Sequence, residues 1–411
     1  MESKNNNQEV TAAKICLVSD HHLCTNPRAW KEAKTLVTNG YDVTIVTIFH
    51  SAASLQRDKE LLAGLPAGIQ YVSAVSYIEG QIPSWKRLLY KGVSKLAVLG
   101  KKAGVDSVYL LSNNPNEIYR KALQVNADLY ICHIDCSLYV GKKLIQKGKA
   151  VAYDFEDWYS RDYLVPIRPV ELLKSLEEYA LQHGVYVSCP SHAMANAIYK
   201  DYGIRKPEVI YNGFPVESLV KYEIQKTPSL VWFSQTIGPG RGLEKIISAL
   251  QDISTSVSLN LIGDISDKYR AELEVLFTSC PQHTLSISPQ VKHKDLHGLL
   301  CCHSIGLALE ETYPPSRNTT VTNKILQYLQ AGLLVLATAT EGQKEIAADF
   351  AGIVSTVPPD DINAWKAELE LLIAKKDVNM QAIADEFNKK YSWEAQEAKL
   401  LELVAGALNR L

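Results

Sequence analysis

Apolar residues fall in short runs along the chain, with longer amphipathic stretches between them. KICLV at 14–18, VTIVTI at 43–48, IQYV at 69–72, LYIC at 129–132, AVAY at 150–153 and VYVSC at 185–189 each predict an interior strand. Helices are expected over 29–38, stopped by Asn39-Gly40, and over 193–201. The pattern restarts after KYEIQKTP at 221–228, with strands at 229–233, 258–262, 285–287, 305–309 and 333–337. Strands alternating with helices predict parallel sheets covered on both faces. At 411 residues the chain exceeds one ordinary core. The economical fold class is α/β, with two Rossmann-like doubly wound parallel-sheet domains joined near 206–225. Such sheets bind ligands at the carboxyl ends of their strands, so the cleft between the domains is the expected site.

The stretch 304–338 carries the most chemistry. It reads as a buried strand, a polar proline-containing loop, a helix, a stop at Gly332 and a second buried strand. Thr322 is the expected N-cap, which puts Asn323 and Lys324 in the first helical turn. A helix N-terminus has unpaired N–H groups and about half a positive charge, so with Lys324 it suits a phosphate or diphosphate. Gln327 follows Asn323 by four residues and Lys324 by three, so the three can share a face. Upstream, Gly238-Pro239-Gly240-Arg241-Gly242 forms a second glycine-rich, basic turn. Two cationic turns at strand ends of one sheet point to a diphosphate held between them. Taken alone, Lys324 reads as an ordinary surface lysine, and only the face shared with Gln327 and the second basic turn change that.

Composition narrows the class. Hydrophobic content of 46% and charged content of 21% suit a globular protein. A net charge of −2 leaves no broad basic footprint for nucleic acid. Eight cysteines show no C-x-x-C pair, and Cys16, Cys132 and Cys189 sit in strand-like runs, as buried thiols of a reducing compartment do. The opening MESKNNNQEV has no apolar signal region, and no apolar run reaches ~18 residues. A cytoplasmic protein is expected.

Several segments together resemble the GT-B-fold glycosyltransferases of the large retaining family 4 (glycosyl transferases group 1). SDHHLCTNPRAWKEAKTLVTNGYDVTIVT is similar to that family's opening loop, helix and second strand. ICHIDCSL resembles its H-A-H-D-type segment, and VAYDFEDWYSRD its Y-D-x-H-E-x-Y-S-E-D segment. VIYNGF, VWFSQTIGPGRGLEKIISAL, TNKILQYLQAG and Tyr391-Ser-Trp-Glu394 match later segments in order. The resemblance spans about 14–411. It implies a first domain over 1–206, joined by a returning helix at 394–411, and a nucleotide-sugar-binding domain over 207–393, the two facing across a cleft. It also implies a bacterial type of enzyme of polysaccharide or glycoconjugate biosynthesis.

The resemblance assigns Arg241 and Lys324 to the donor diphosphate and His133 to the transferred sugar. Gly240, Gly242, Asn323, Gln327, Thr319, Gly263 and Val291 become donor-side positions. The donor is a UDP- or GDP-linked sugar, with no separate cofactor and no metal, since cationic side chains can stand in for an ion and no D-x-D signature is evident. Base contacts are expected from backbone around 288–291. Three positions depart from the family. Gln327 stands where relatives hold the ribose with a glutamate, Thr236 replaces a second phosphate-binding arginine, and the eight-residue spacing puts Thr319 at the first glutamate. An amide offers one acceptor oxygen in place of a carboxylate's two. His133 has a structural alternative, a strand-end histidine satisfied by backbone. Ile134 stands at the family aspartate, with Asp135 one place on, and Glu156 replaces the histidine of the Y-D-x-H segment.

Other readings remain open. Gly238-x-Gly240-x-Gly242 with Asp264 resembles a dinucleotide fingerprint, but its third glycine comes one place early and it leaves the Lys324 helix unexplained. An inactive member serving as a binding subunit and a sugar-nucleotide epimerase of the same fold are closer rivals. His21-His22 and His293-x-x-x-His297 are expected to be solvated rather than catalytic or zinc-binding. Finally, 85–102 holds basic and apolar residues and no acid, as an amphipathic helix. It either lies peripherally on an anionic membrane face, which would suit a lipid-linked acceptor, or packs its apolar side on its own sheet with the lysines solvated.

Overall fold

The computed structural model of the protein describes residues 12–66, 68–220 and 227–410. The opening MESKNNNQEV and most of the restart segment at 221–228 lie outside these residues. Thirteen strands are described: β1 (Lys14–Val18), β2 (Asp42–Phe49), β3 (Ile69–Ser76), β4 (Leu129–His133), β5 (Ala150–Asp154), β6 (Val187–Cys189), β7 (Glu208–Val209), β8 (Ser229–Ile237), β9 (Ser258–Ile265), β10 (Thr284–Ser288), β11 (Ile305–Ala308), β12 (Leu334–Thr338) and β13 (Val354–Val357). They form a seven-stranded sheet in the order β3-β2-β1-β4-β5-β6-β7 and a six-stranded sheet in the order β10-β9-β8-β11-β12-β13. Neighbouring strands pair in parallel, for example Leu17 with Ile45 and His133 with Asp154. The expected strands are all present, and the sequence reading missed only the short β7 and the edge strand β13.

The chain divides into two compact units. One comprises Met1–Cys189, Tyr202–Glu208 and Leu400–Leu411, the other Pro190–Asp201 and Val209–Lys399. In each sheet the strand order reverses once, between β1 and β4 in the first and between β8 and β11 in the second. At such a switch point the loops leaving two adjacent strands turn apart and leave a crevice at their carboxyl ends. The central strands are buried on both faces, which explains their continuous apolar runs: Leu230, Leu259, Leu307 and Leu336 of the second unit are each 2% exposed or less.

Glycines fix how closely the second unit's elements approach. A Cβ on Gly306 of β11 would lie 2.2 Å from the Tyr328 ring, so only glycine lets the helix Asn323–Gln330 lie flat on the strand. Tyr328 Oη completes the contact by donating to the Leu307 carbonyl at 3.3 Å. A Cβ on Gly263 would meet the Ser234 carbonyl oxygen at 2.4 Å, where the β8–β9 register shifts.

Candidate functional site

The second unit's switch point is built from the loops that leave β8 and β11. Gly242 adopts a left-handed conformation (φ 79°) and caps the helix Leu243–Leu250; Gly240 is also left-handed (φ 71°). The turn between them carries Arg241 half-buried. In the segment that follows the neighbouring strand β11, Thr322 Oγ1 accepts from the Ile325 N–H and caps Asn323–Gln330 as expected. Asn323 is exposed, Lys324 half-buried and Gln327 only 9% exposed, so the shared face runs from solvent inward.

Lys324 is the electrostatic centre of this crevice. Burial pushes its pKa below the ordinary lysine value, Glu310 partly restores it, and Arg241 and Arg317 lower it further. Three charged groups therefore act on Lys324 electrostatically. The ammonium also lies 5.5 Å from the centroid of the Trp232 ring and 6.0 Å from that of Phe233, whose faces favour a cation. Arg317 pairs with Glu310 at 3.5 Å. Three cations and one carboxylate leave a net positive charge around Lys324, which an anion would neutralise.

The sequence reading missed Arg317 and Glu310. Glutamate spacing led it to Thr319 instead, whose hydroxyl is spent inside its own short helix on the Ser316 carbonyl at 3.0 Å. The acid beside Lys324 is Glu310, at the carboxyl end of β11. Thr236 is exposed, Gly263 is accounted for by strand packing, and Val291 follows β10 on a loop where Asp264 accepts weakly from the Gln290 N–H at 3.5 Å.

The first unit's switch point holds a different arrangement. His133 ends β4 and is fully buried, with Nδ1 3.1 Å from Glu156 and 3.4 Å from Asp154, and Nε2 3.3 Å from Glu32. Arg28 grips both oxygens of Asp154, one at 2.7 Å. Asn26 Nδ2 donates to Glu156 at 2.8 Å and ties the opening loop to the same group. Despite burial, these carboxylates hold the His133 pKa well above the ordinary imidazole value, while Arg28 and His133 hold Asp154 low. Burial raises Glu32.

His133 thus turns both ring nitrogens to carboxylates of its own unit. This is not the setting of an imidazole displayed to a sugar, and backbone does not satisfy it either. Glu156, whose role the sequence left open, is the bridge between His133 and Asn26. Glu32, His133 and Asp154 could in principle hold a metal ion, with ligand-type atoms within 4.8 Å of one another. Arg28 already occupies both oxygens of Asp154, however. Asp135 is engaged by Arg168 at 3.2 Å and by the Cys136 N–H at 2.7 Å.

Two expectations of solvation are overturned. His22 is 3% exposed and pairs with buried Asp58, which also accepts from Tyr71 Oη at 2.7 Å. His297 is 7% exposed, its Nε2 3.3 Å from the Ser218 carbonyl. His21 is exposed as expected.

No protein-family model and no curated protein matches the chain. Solved structures match over nearly its whole length. Sucrose-phosphate synthase from Thermosynechococcus elongatus aligns with a TM-score of 0.68 at 15% identity, covering 97% of this chain and 100% of that one. Anabaena HepE in complex with UDP and glucose gives 0.61 at 14%, covering 96% and 99%. A putative UDP-N-acetylglucosamine 2-epimerase from Listeria monocytogenes gives 0.57 at 11%, covering 97% and 98%. At these identities the likeness establishes the fold, two doubly wound parallel-sheet units of the GT-B type.

Proposed function

We propose that the protein is a glycosyltransferase that moves a sugar from a nucleoside-diphosphate donor to an acceptor hydroxyl with retention, without an obligatory metal. The observation that carries this reading is that Arg241 and Arg317 both act electrostatically on Lys324 at the second unit's switch point. When the anomeric C–O bond breaks, its electron pair leaves with the diphosphate. Fixed cations stabilise the growing charge most where water is excluded. Arg241 and Lys324 take the diphosphate, with Arg317 joining them and Glu310 keeping Arg317 aligned. Gly240 and Gly242 leave backbone open beside the phosphates, and Asn323 and Gln327 reach toward the ribose. The loop at 288–291, with Val291, takes the base. His133 is a positioning residue, which holds the end of β4 and the opening loop together through Glu156 and Asn26.

Sugar-nucleotide binding is supported by HepE, whose structure contains UDP and glucose on the same fold. The eight cysteines are free, and most are buried, which suits a reducing cytoplasm. Incubation with UDP- and GDP-sugars, followed by NMR of the sugar released to water or transferred, tests the proposal. Nucleoside diphosphate release with the donor's anomeric configuration kept supports it. Inverted configuration refutes retention, and an epimerised sugar nucleotide identifies the epimerase reading. Binding without turnover under all acceptors identifies a binding subunit.

A further inference from the structure

The helix Ser84–Lys102 buries only Ala97. Its large apolar residues do not pack on the sheet: Trp85 is 62% exposed, Leu88 70%, Leu89 53%, Leu96 68% and Leu99 59%. At about 100° per residue these five fall within one narrow stripe, at intervals of three, four and seven residues. The helix rests on its own unit through the opposite side, where Ser94 and Val98 line a pocket of about 220 Å³ and Arg87 donates to the Tyr77 carbonyl at 2.6 Å. Lys86, Lys91, Lys95 and Lys102 are exposed and flank the stripe, and no acid occurs between Glu79 and Asp106. A second apolar exposure adjoins it. Tyr163, Leu164, Val165 and Ile167 are 39–50% exposed, and Ile167 lines the same pocket as Ser94 and Val98.

We propose that this helix docks the first unit on an anionic lipid bilayer, lying in the headgroup region with its leucine stripe inward. Charge complementarity selects this occupant. Lysine is under-represented in protein interfaces relative to the rest of the surface, whereas interfacial helices carry lysines along the polar flanks of a hydrophobic stripe. Among the described residues no helix is long and apolar enough to cross a membrane, so the contact is peripheral. Docking is independent of the glycosyl-transfer reading, because vesicles need neither donor nor acceptor.

The test is flotation of the full chain with vesicles of phosphatidylcholine alone and of phosphatidylcholine with phosphatidylglycerol. We expect recruitment to the anionic vesicles only, and release by salt. Replacing Lys86, Lys91, Lys95 and Lys102 together by Gln lowers the partition coefficient by roughly a hundredfold or more. Replacing Leu88, Leu96 and Leu99 by Ser lowers it at least about tenfold. All seven positions are exposed, so unchanged circular dichroism and melting should accompany both losses. Failure of the wild type to bind anionic vesicles at low salt overturns the proposal. So does a solution dimer that the Leu→Ser variant dissociates, since the stripe would then be covered by a second copy of the chain.

Discussion

Lys324 is half-buried before any ligand arrives, beside two aromatic rings and under the electrostatic influence of two arginines. Such a lysine is most stable as a cation when an anion sits beside it. Arg241→Ala and Lys324→Ala should therefore each cost about 2–4 kcal/mol of transition-state stabilisation, read as kcat/KM for donor consumption. Gln327 sits deeper on the same helix face. Gln327→Glu should tighten donor binding about tenfold, or ~1.4 kcal/mol, because a charge-assisted hydrogen bond to a hydroxyl is stronger than a neutral one. Titration calorimetry of both proteins checks this, and weaker binding by the variant would place Gln327 against phosphate rather than ribose. His133 makes a prediction about stability instead. Its folded pKa is raised, so the stabilisation it provides is complete below about pH 6.5 and is lost as pH rises through the folded value. His133→Gln leaves Glu32 and Glu156 without their cation and should cost about 3–5 kcal/mol at neutral pH. Urea titrations across the alkaline range should show that the variant has lost the decline seen in the wild type.

At the scale of elements, the donor-side helix is set by its packing on β11. Gly306→Ala would drive a methyl group into the Tyr328 ring, and overpacking of this kind costs about 1–3 kcal/mol. Because Lys324 and Gln327 ride on the same helix, the variant should lose donor affinity along with stability, although neither residue is touched. Normal nucleotide binding in a destabilised Gly306→Ala protein would separate the two effects and weaken the placement. The strands and this helix were legible in the sequence because their signals are local: continuous β-branched runs, Thr322 as a cap, Gly332 as a stop. Partners distant in the chain were not. His22 reads as a loop residue until Asp58, 36 positions on, is brought to it, and His297 until Ser218 is. The helix Ser84–Lys102 shows a different limit. Periodicity reveals an apolar stripe but says nothing about what covers it, and here nothing among the described residues of its own unit does. Glu310 was hidden because a spacing rule led to Thr319, and no local signal marks the acid that follows β11.

Across the whole molecule, both sheets put chemistry at the reversal of strand order, and the two units use it differently. The first closes its switch point with internal ion pairs around His133, so its charges are spent on holding the fold. The second gathers Arg241, Arg317 and Lys324 around Glu310, an excess of positive charge for a ligand to neutralise. This asymmetry underlies the central proposal, that the second unit binds the nucleoside diphosphate of a sugar donor. Calorimetric titration of the wild type and an Arg241→Ala, Lys324→Ala double variant with UDP, UDP-glucose and a GDP-sugar tests it most directly. The account expects saturable binding of at least one of these by the wild type, weakened by roughly a hundredfold or more in the double variant. Equal affinity in the two proteins, or no binding of any nucleotide by the wild type, would contradict it.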